Sequence, residues 1–230
     1  MLPWVPTVVI GERLPADPRL VDQSGHALRW SQLNGRALAV TFIYTRCTES
    51  AECPAISAKF ARLQHEIPAN ARLVEVTLDP AHDTPSVLRR YGALFGADPK
   101  RWTLVTGDPQ TVLTLAERFK VTVAPGRTPG TLEHGEAIAV FDTQERLVSL
   151  TAGNSWQPRE ILAALQSASG QRSSLPDRFT LWFRNFGIAC GALLTASDRF
   201  ARPLALAVIL ALFALVAGVS FAVVRALRDI

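Results

Sequence analysis

The chain has 230 residues, 48% of them hydrophobic, which is enough to bury one full core with residues to spare and argues against a second large domain. The net charge of +4 comes mostly from arginines spread along the chain, with no basic block and no basic–aromatic alternation, so a nucleic-acid interface is not expected. Three cysteines are too few for a disulfide framework; Cys47 and Cys53 stand close together and read as a functional pair, with Cys190 a spare small apolar residue.

Residues 1–14 form an N-terminal segment that is mostly apolar over its first ten positions but has neither a basic n-region nor a small-residue cleavage site. Three routes stay open: a cytoplasmic domain, a start that has lost its leader, or insertion directed by the C-terminal span. A domain is expected over 15–168. It opens with a small sheet-edge unit, Arg19 to Asp22 and His26 to Trp30 around a Gln23-Ser24-Gly25 turn. Ala37 to Tyr44 is a nearly unbroken apolar run with β-branched and aromatic residues, the pattern of a strand buried on both faces. Pro54 then suits a first helical turn, and Ile56, Phe60, Leu63 and Ile67 recur along one helix face.

Arg72 to Leu78 reads as a second core strand, followed by a helix capped at Thr84-Pro85 and stopped at Gly96. Trp102 to Thr106 is a third strand, and Gly107-Asp108-Pro109 opens a helix from Gln110 to Phe119. Alternating strand and helix predict parallel strands with helices on both faces. Residues 124–135 read as a proline- and glycine-rich loop ending at His134, before a hairpin of Ala137 to Asp142 and Leu147 to Thr151 and a last helix marked by Trp156, Ile161, Leu162 and Leu165.

Residues 169–202 are expected to be a linker and an amphipathic segment on the membrane surface, because Arg184 and Asn185 interrupt its apolar pattern; a second span is the alternative. From Pro203 to Val224 there are 22 residues without a charge, about 33 Å of helix and a match to the hydrocarbon core, which predicts a transmembrane helix followed by a tail at 225–230. Arginines lie on both sides of that span, so they do not fix its orientation.

The chemistry is concentrated where the first core strand ends. Cys53 is placed at a helix N-terminus, where unpaired N–H groups and the helix dipole favour a thiolate suited to metal binding or disulfide exchange; Glu49 and Glu52 oppose it. The order strand, cysteine pair, helix, strand, helix, strand, helix, hairpin is that of an α/β, thioredoxin-like central sheet with flanking helices. More specifically, TFIYTRC, Cys53-Pro54, VTLDPAHDTPSVLRRYGALFG, WTLVTGDP and a histidine shortly before AIAVFDTQERLV resemble the Sco (SenC) family over roughly residues 15–166. That resemblance implies a membrane-tethered thioredoxin-fold protein that carries copper to the cytochrome c oxidase copper site or maintains its thiols. It further implies Cys47, Cys53 and His134 as the metal ligands and Asp79 as an acidic residue near them. Two differences stand out: the common family spacing is CxxxC whereas here five residues separate the cysteines, and the family's anchor usually precedes the domain.

Two thiolates and an imidazole suit Cu(I), and similar sets occur in Cu(II) sites. A thioredoxin-type reductase usually places a proline before the hairpin, where this chain has Leu132-Glu133-His134-Gly135. Three readings follow: a copper carrier on the extracytoplasmic face; a thiol-disulfide oxidoreductase using Cys47 and Cys53 as its catalytic pair; and a tethered scaffold with neither metal nor redox turnover. His26 and His65 read as surface residues and His82 as a loop residue, while Asp79 and Asp83 serve either as caps for the next helix or as support for the site.

Overall fold

The computed structural model describes residues 10–14, 18–47, 52–153 and 156–170. They belong to the first of two units, residues 1–181; the second, 182–230, lies outside the described residues and takes with it Cys190 and the expected membrane helix at 203–224. Among the described residues no helix is long and apolar enough to cross a membrane.

The apolar run Ala37–Ile43 forms strand β3, buried at every position because it is central to a seven-stranded sheet. Numbering the other strands in chain order, β1 is Leu20–Asp22, β2 Ala27–Leu28, β4 Ala71–Thr77, β5 Trp102–Gly107, β6 Val123–Pro125, β7 Leu132–His134, β8 Ala137–Phe141 and β9 Leu147–Ala152. The sheet order is β2-β1-β5-β4-β3-β8-β9. Strands β3, β4 and β5 are parallel, with Ala37 opposite Ala71 and Leu73 opposite Trp102; β1 and β8 join them antiparallel.

Among the described residues four α-helices flank the sheet: α1 Glu52–Glu66, α2 Pro85–Leu94, α3 Pro109–Arg118 and α4 Pro158–Ala168. The caps read from the sequence form. Thr84 accepts from the Val87 amide and Asp108 from the Thr111 amide, each followed by proline in the first turn. Gly96, at φ +66°, follows α2 in a conformation that side chains disfavour. Successive crossovers in one direction put α1 and α2 on the same face. There Phe60 meets Trp102 and Trp156, and Phe95 meets Trp102; on the other face Phe42 packs edge-on against Phe119, which follows α3 and also touches Phe141.

Two expectations are corrected. His26 to Trp30 yields only the short β2, because Trp30 opens a 3-10 turn to Leu33 that buries both apolar ends. Residues 124–135 are not simply a loop: β6 and β7 pair antiparallel, Val123 opposite His134, about a turn in which the Gly126 amide donates to the Thr131 carbonyl at 2.8 Å. The density of proline and glycine masks strands only three residues long.

Candidate metal centre

The site lies beyond the C-terminal ends of the parallel strands β3 and β4, the end of an open α/β sheet at which ligands are usually bound. Tyr44 to Cys47 continue from β3, Asp79 to Asp83 follow β4, and β7 brings His134 across from the small hairpin. Cys47 Sγ, Cys53 Sγ and a His134 ring nitrogen all lie within 4.8 Å of one another. Both cysteines are thiols and no disulfide joins them.

Each candidate ligand is held by a different device. Cys53 stands in the first turn of α1 with no solvent exposure, its sulfur 3.4 Å from His134 Nε2. His134 Nδ1 donates to the Gly135 carbonyl at 2.9 Å, which leaves the Nε2 lone pair facing the thiols. Tyr44 sets the ring from beside it, edge-on with centroids 5.6 Å apart. The Tyr44 hydroxyl also donates to the Leu132 carbonyl at 2.9 Å and accepts from the Leu132 amide at 3.3 Å, which ties the hairpin to the end of β3. The Cys47 amide donates to the Tyr44 carbonyl at 3.3 Å. Cys47 and His134, with Tyr44, Glu52, Arg127, Leu132 and Glu133, line a cavity of about 280 Å³, whereas Cys53 closes the site from within.

The expected thiolate at Cys53 does not survive its surroundings. Burial is the largest influence and pushes the thiol well above the ordinary cysteine range; a hydrogen bond with the Tyr44 backbone pulls down, and Cys47 beside it adds to the rise. The helix N-terminus is outweighed because no water reaches the sulfur. In the metal-free protein Cys53 is therefore a protonated thiol at neutral pH.

One turn along α1 from Cys53, the Ser57 hydroxyl donates to Glu75 Oε1 at 3.0 Å and lies 2.9 Å from the Tyr91 hydroxyl. Burial raises the Glu75 carboxyl to about 8, against smaller downward effects of Ser57 and of the nearby Trp102 indole, so Glu75 is a neutral acid at pH 7. At the rim, Glu136 is raised to about 7, first by burial and then by the Glu52 carboxyl beside it, with Lys59 opposing.

Asp79 and Asp83 serve the site's framework more than they cap α2, which Thr84 caps. Asp83 is fully buried and accepts from the Thr45 amide at 3.0 Å and from the Thr45 and Thr77 hydroxyls. Asp79 accepts from Arg46 and contacts His82, so His82 touches the framework and not the ligand set. His26 and His65 are exposed surface residues, as expected. Sequence reasoning missed Tyr44, Arg46, Glu75 and Glu136 as parts of this region. Arg46 and Tyr44 flank or precede Cys47 and were findable by adjacency alone; nothing in the linear pattern links Ser57 to Glu75.

A three-layered, thioredoxin-like α/β domain with two thiols and an imidazole converging at the ends of its central strands is a recognisable class of thiol and soft-metal protein. The SCO1/SenC family model matches residues 11–170. The chain belongs to the SCO1/SenC family. An SCO2-like protein of Rickettsia typhi is 28% identical over 108 residues, covering 46% of this chain and 51% of that protein. The SCO1 protein homolog of Bacillus subtilis is 27% identical over 93 residues, covering 39% and 47%. The chain spans about half the length of the relatives it matches. Bradyrhizobium japonicum ScoI, solved with copper bound, shares the fold with a TM-score of 0.57 at 24% identity, over 70% of this chain and 99% of that one.

Proposed function

We propose that this chain is a membrane-tethered copper carrier that holds one copper ion through Cys47, Cys53 and His134 and passes it to the copper site of cytochrome c oxidase. The observation that carries the reading is the convergence of two thiols and an imidazole whose Nε2 lone pair is directed at them. This donor set fits a soft, low-coordinate cation, and a related protein of the same fold has been solved with copper bound. Because Cys47 and His134 face the cavity and Cys53 lies behind them, incoming acceptor ligands reach those two first, and transfer proceeds by exchange from the outside inward. Family membership supports the oxidase as acceptor. The uncharged stretch from Pro203 to Val224 supports the tether, and in this reading the domain works on the extracytoplasmic, periplasmic face.

Titrating the reduced chain with Cu(I) against a competing chelator tests this: about one equivalent retained, and lost in Cys47→Ser, in Cys53→Ser and in His134→Ala. Failure to retain copper removes the reading. The proximity of the two thiols favours a second one, a thiol-disulfide oxidoreductase. One cysteine thiolate attacks a substrate disulfide, the other displaces the mixed disulfide, and the pair ends oxidised with two substrate thiols released. Under that reading disulfide reduction persists unchanged in His134→Ala.

A further inference from the structure

In this chain Cys47 precedes the start of α1 by five positions, so the helix does not set its place. The two residues immediately before it are both anchored elsewhere. Thr45 is bound through its amide and hydroxyl to buried Asp83. The Arg46 guanidinium donates to Asp79 Oδ2 through Nε at 3.0 Å and Nη2 at 2.6 Å, and Nη2 lies 2.8 Å from His82 Nδ1, which itself meets Asp79 Oδ1 at 2.8 Å. Its other terminal nitrogen, Nη1, faces Gly130, where an added Cβ would stand 3.5 Å away. Gly130 lies in the turn between β6 and β7, the hairpin that ends on His134. One side chain thus binds the turn after β4 and lies near the hairpin carrying the imidazole, while its backbone leads directly into Cys47.

We propose that Arg46 is a positioning residue for the metal centre, its guanidinium locking the Cys47 segment to the Asp79–His82 turn beside the hairpin that carries His134. This rests on the copper-site reading above. A planar fork with several donors can bridge such partners at once, which an ammonium reproduces only in part and a neutral amide hardly at all. Replacement also strips the nearly buried Asp79 carboxylate of its guanidinium partner and leaves it to His82.

The test uses the full chain with Arg46→Gln and Arg46→Lys, and Arg118→Gln as a control that breaks the 2.9 Å Arg118–Glu12 ion pair away from the site. Cu(I) affinity is read by chelator competition, and the Cu(II)-loaded protein supplies a thiolate-to-copper charge-transfer band that reports on the geometry of cysteine ligation. Arg46→Gln is expected to weaken Cu(I) binding by about 10–100-fold and to alter the band, with Arg46→Lys recovering part of both and Arg118→Gln leaving both unchanged. If Arg46→Gln does not fold, Arg46→Lys carries the test, with a loss of more than about threefold and an altered band expected, as a fraction of the outer-shell effect. Normal loading and an unaltered band in the Arg46 variants overturn the inference while the copper reading stands. An equal loss in Arg118→Gln also overturns it, because the effect is then general destabilisation. If the unmodified chain retains no copper, the copper reading and this inference fall together.

Discussion

Glu75 offers the sharpest test of how the core beneath the site is built. It is fully buried on β4, hydrogen-bonded to Ser57, and raised from an ordinary value of 4.5 to about 8. Between those two values the folded protein keeps the proton that the unfolded chain releases, so the native state binds more protons and its stability falls as pH rises. At about 1.4 kcal/mol per pH unit, the interval amounts to roughly 4–5 kcal/mol, lost progressively from about pH 5 to pH 8 and level above that. Glu75→Gln keeps the shape and an acceptor for Ser57 but has no proton to lose. Urea unfolding of the metal-free chain, followed through tryptophan fluorescence at a series of pH values, should show the unmodified protein losing several kcal/mol over that window and Glu75→Gln losing much less. Glu136, raised to about 7 but only partly buried, contributes a smaller slope of the same sign, so Glu136→Gln should flatten the curve less. Parallel pH–stability curves for the unmodified chain and Glu75→Gln would refute the assignment of a protonated core acid.

Three further outcomes are expected. Tyr44→Phe removes both hydroxyl bonds to Leu132 and should destabilise the hairpin by about 1–2 kcal/mol, visible as faster hydrogen exchange at the Leu132 amide and weaker Cu(I) binding. Asp83→Asn puts an amide nitrogen where the carboxylate now accepts from Thr45 and Thr77, and should cost about 2–4 kcal/mol in denaturant unfolding. Gly126→Ala drives a Cβ into the Thr131 side chain and to 3.0 Å from its carbonyl carbon; the Gly126 amide should lose exchange protection and copper affinity should fall, with little change in global stability.

Much of the fold was legible because its signals are local. The apolar run of β3, the caps at Thr84 and Asp108, and the helical repeat of Ile56, Phe60 and Leu63 each read within a few residues, and each sits where expected. The ligand trio was legible through family resemblance, and the geometry brings the three together. What stayed hidden depends on contact across the sheet. Arg46 and Asp79 are 33 positions apart, and their pairing exists only because β3 and β4 end side by side. The protonation of Cys53 was misjudged for a related reason: position in a helix is written in the sequence, whereas exclusion of water is a property of everything packed around the sulfur.

That exclusion also bears on which chemistry the site suits. Disulfide exchange requires a thiolate before any partner arrives, and a deeply buried thiol held in its protonated form attacks or resolves slowly at neutral pH. A soft cation changes the balance, since its charge compensates the thiolates in the same water-poor space and displaces their protons as it enters. The burial that penalises an isolated thiolate at Cys53 thus does not penalise the loaded site to the same degree, and loading weakens as pH falls because protons compete for the sulfurs. Under the proposed copper reading, with Cys47 and His134 facing the cavity and Cys53 behind them, the inner sulfur stays quiet without metal and the two outer donors stay open to exchange. This asymmetry fits the proposed carrier better than a freely turning-over reductase.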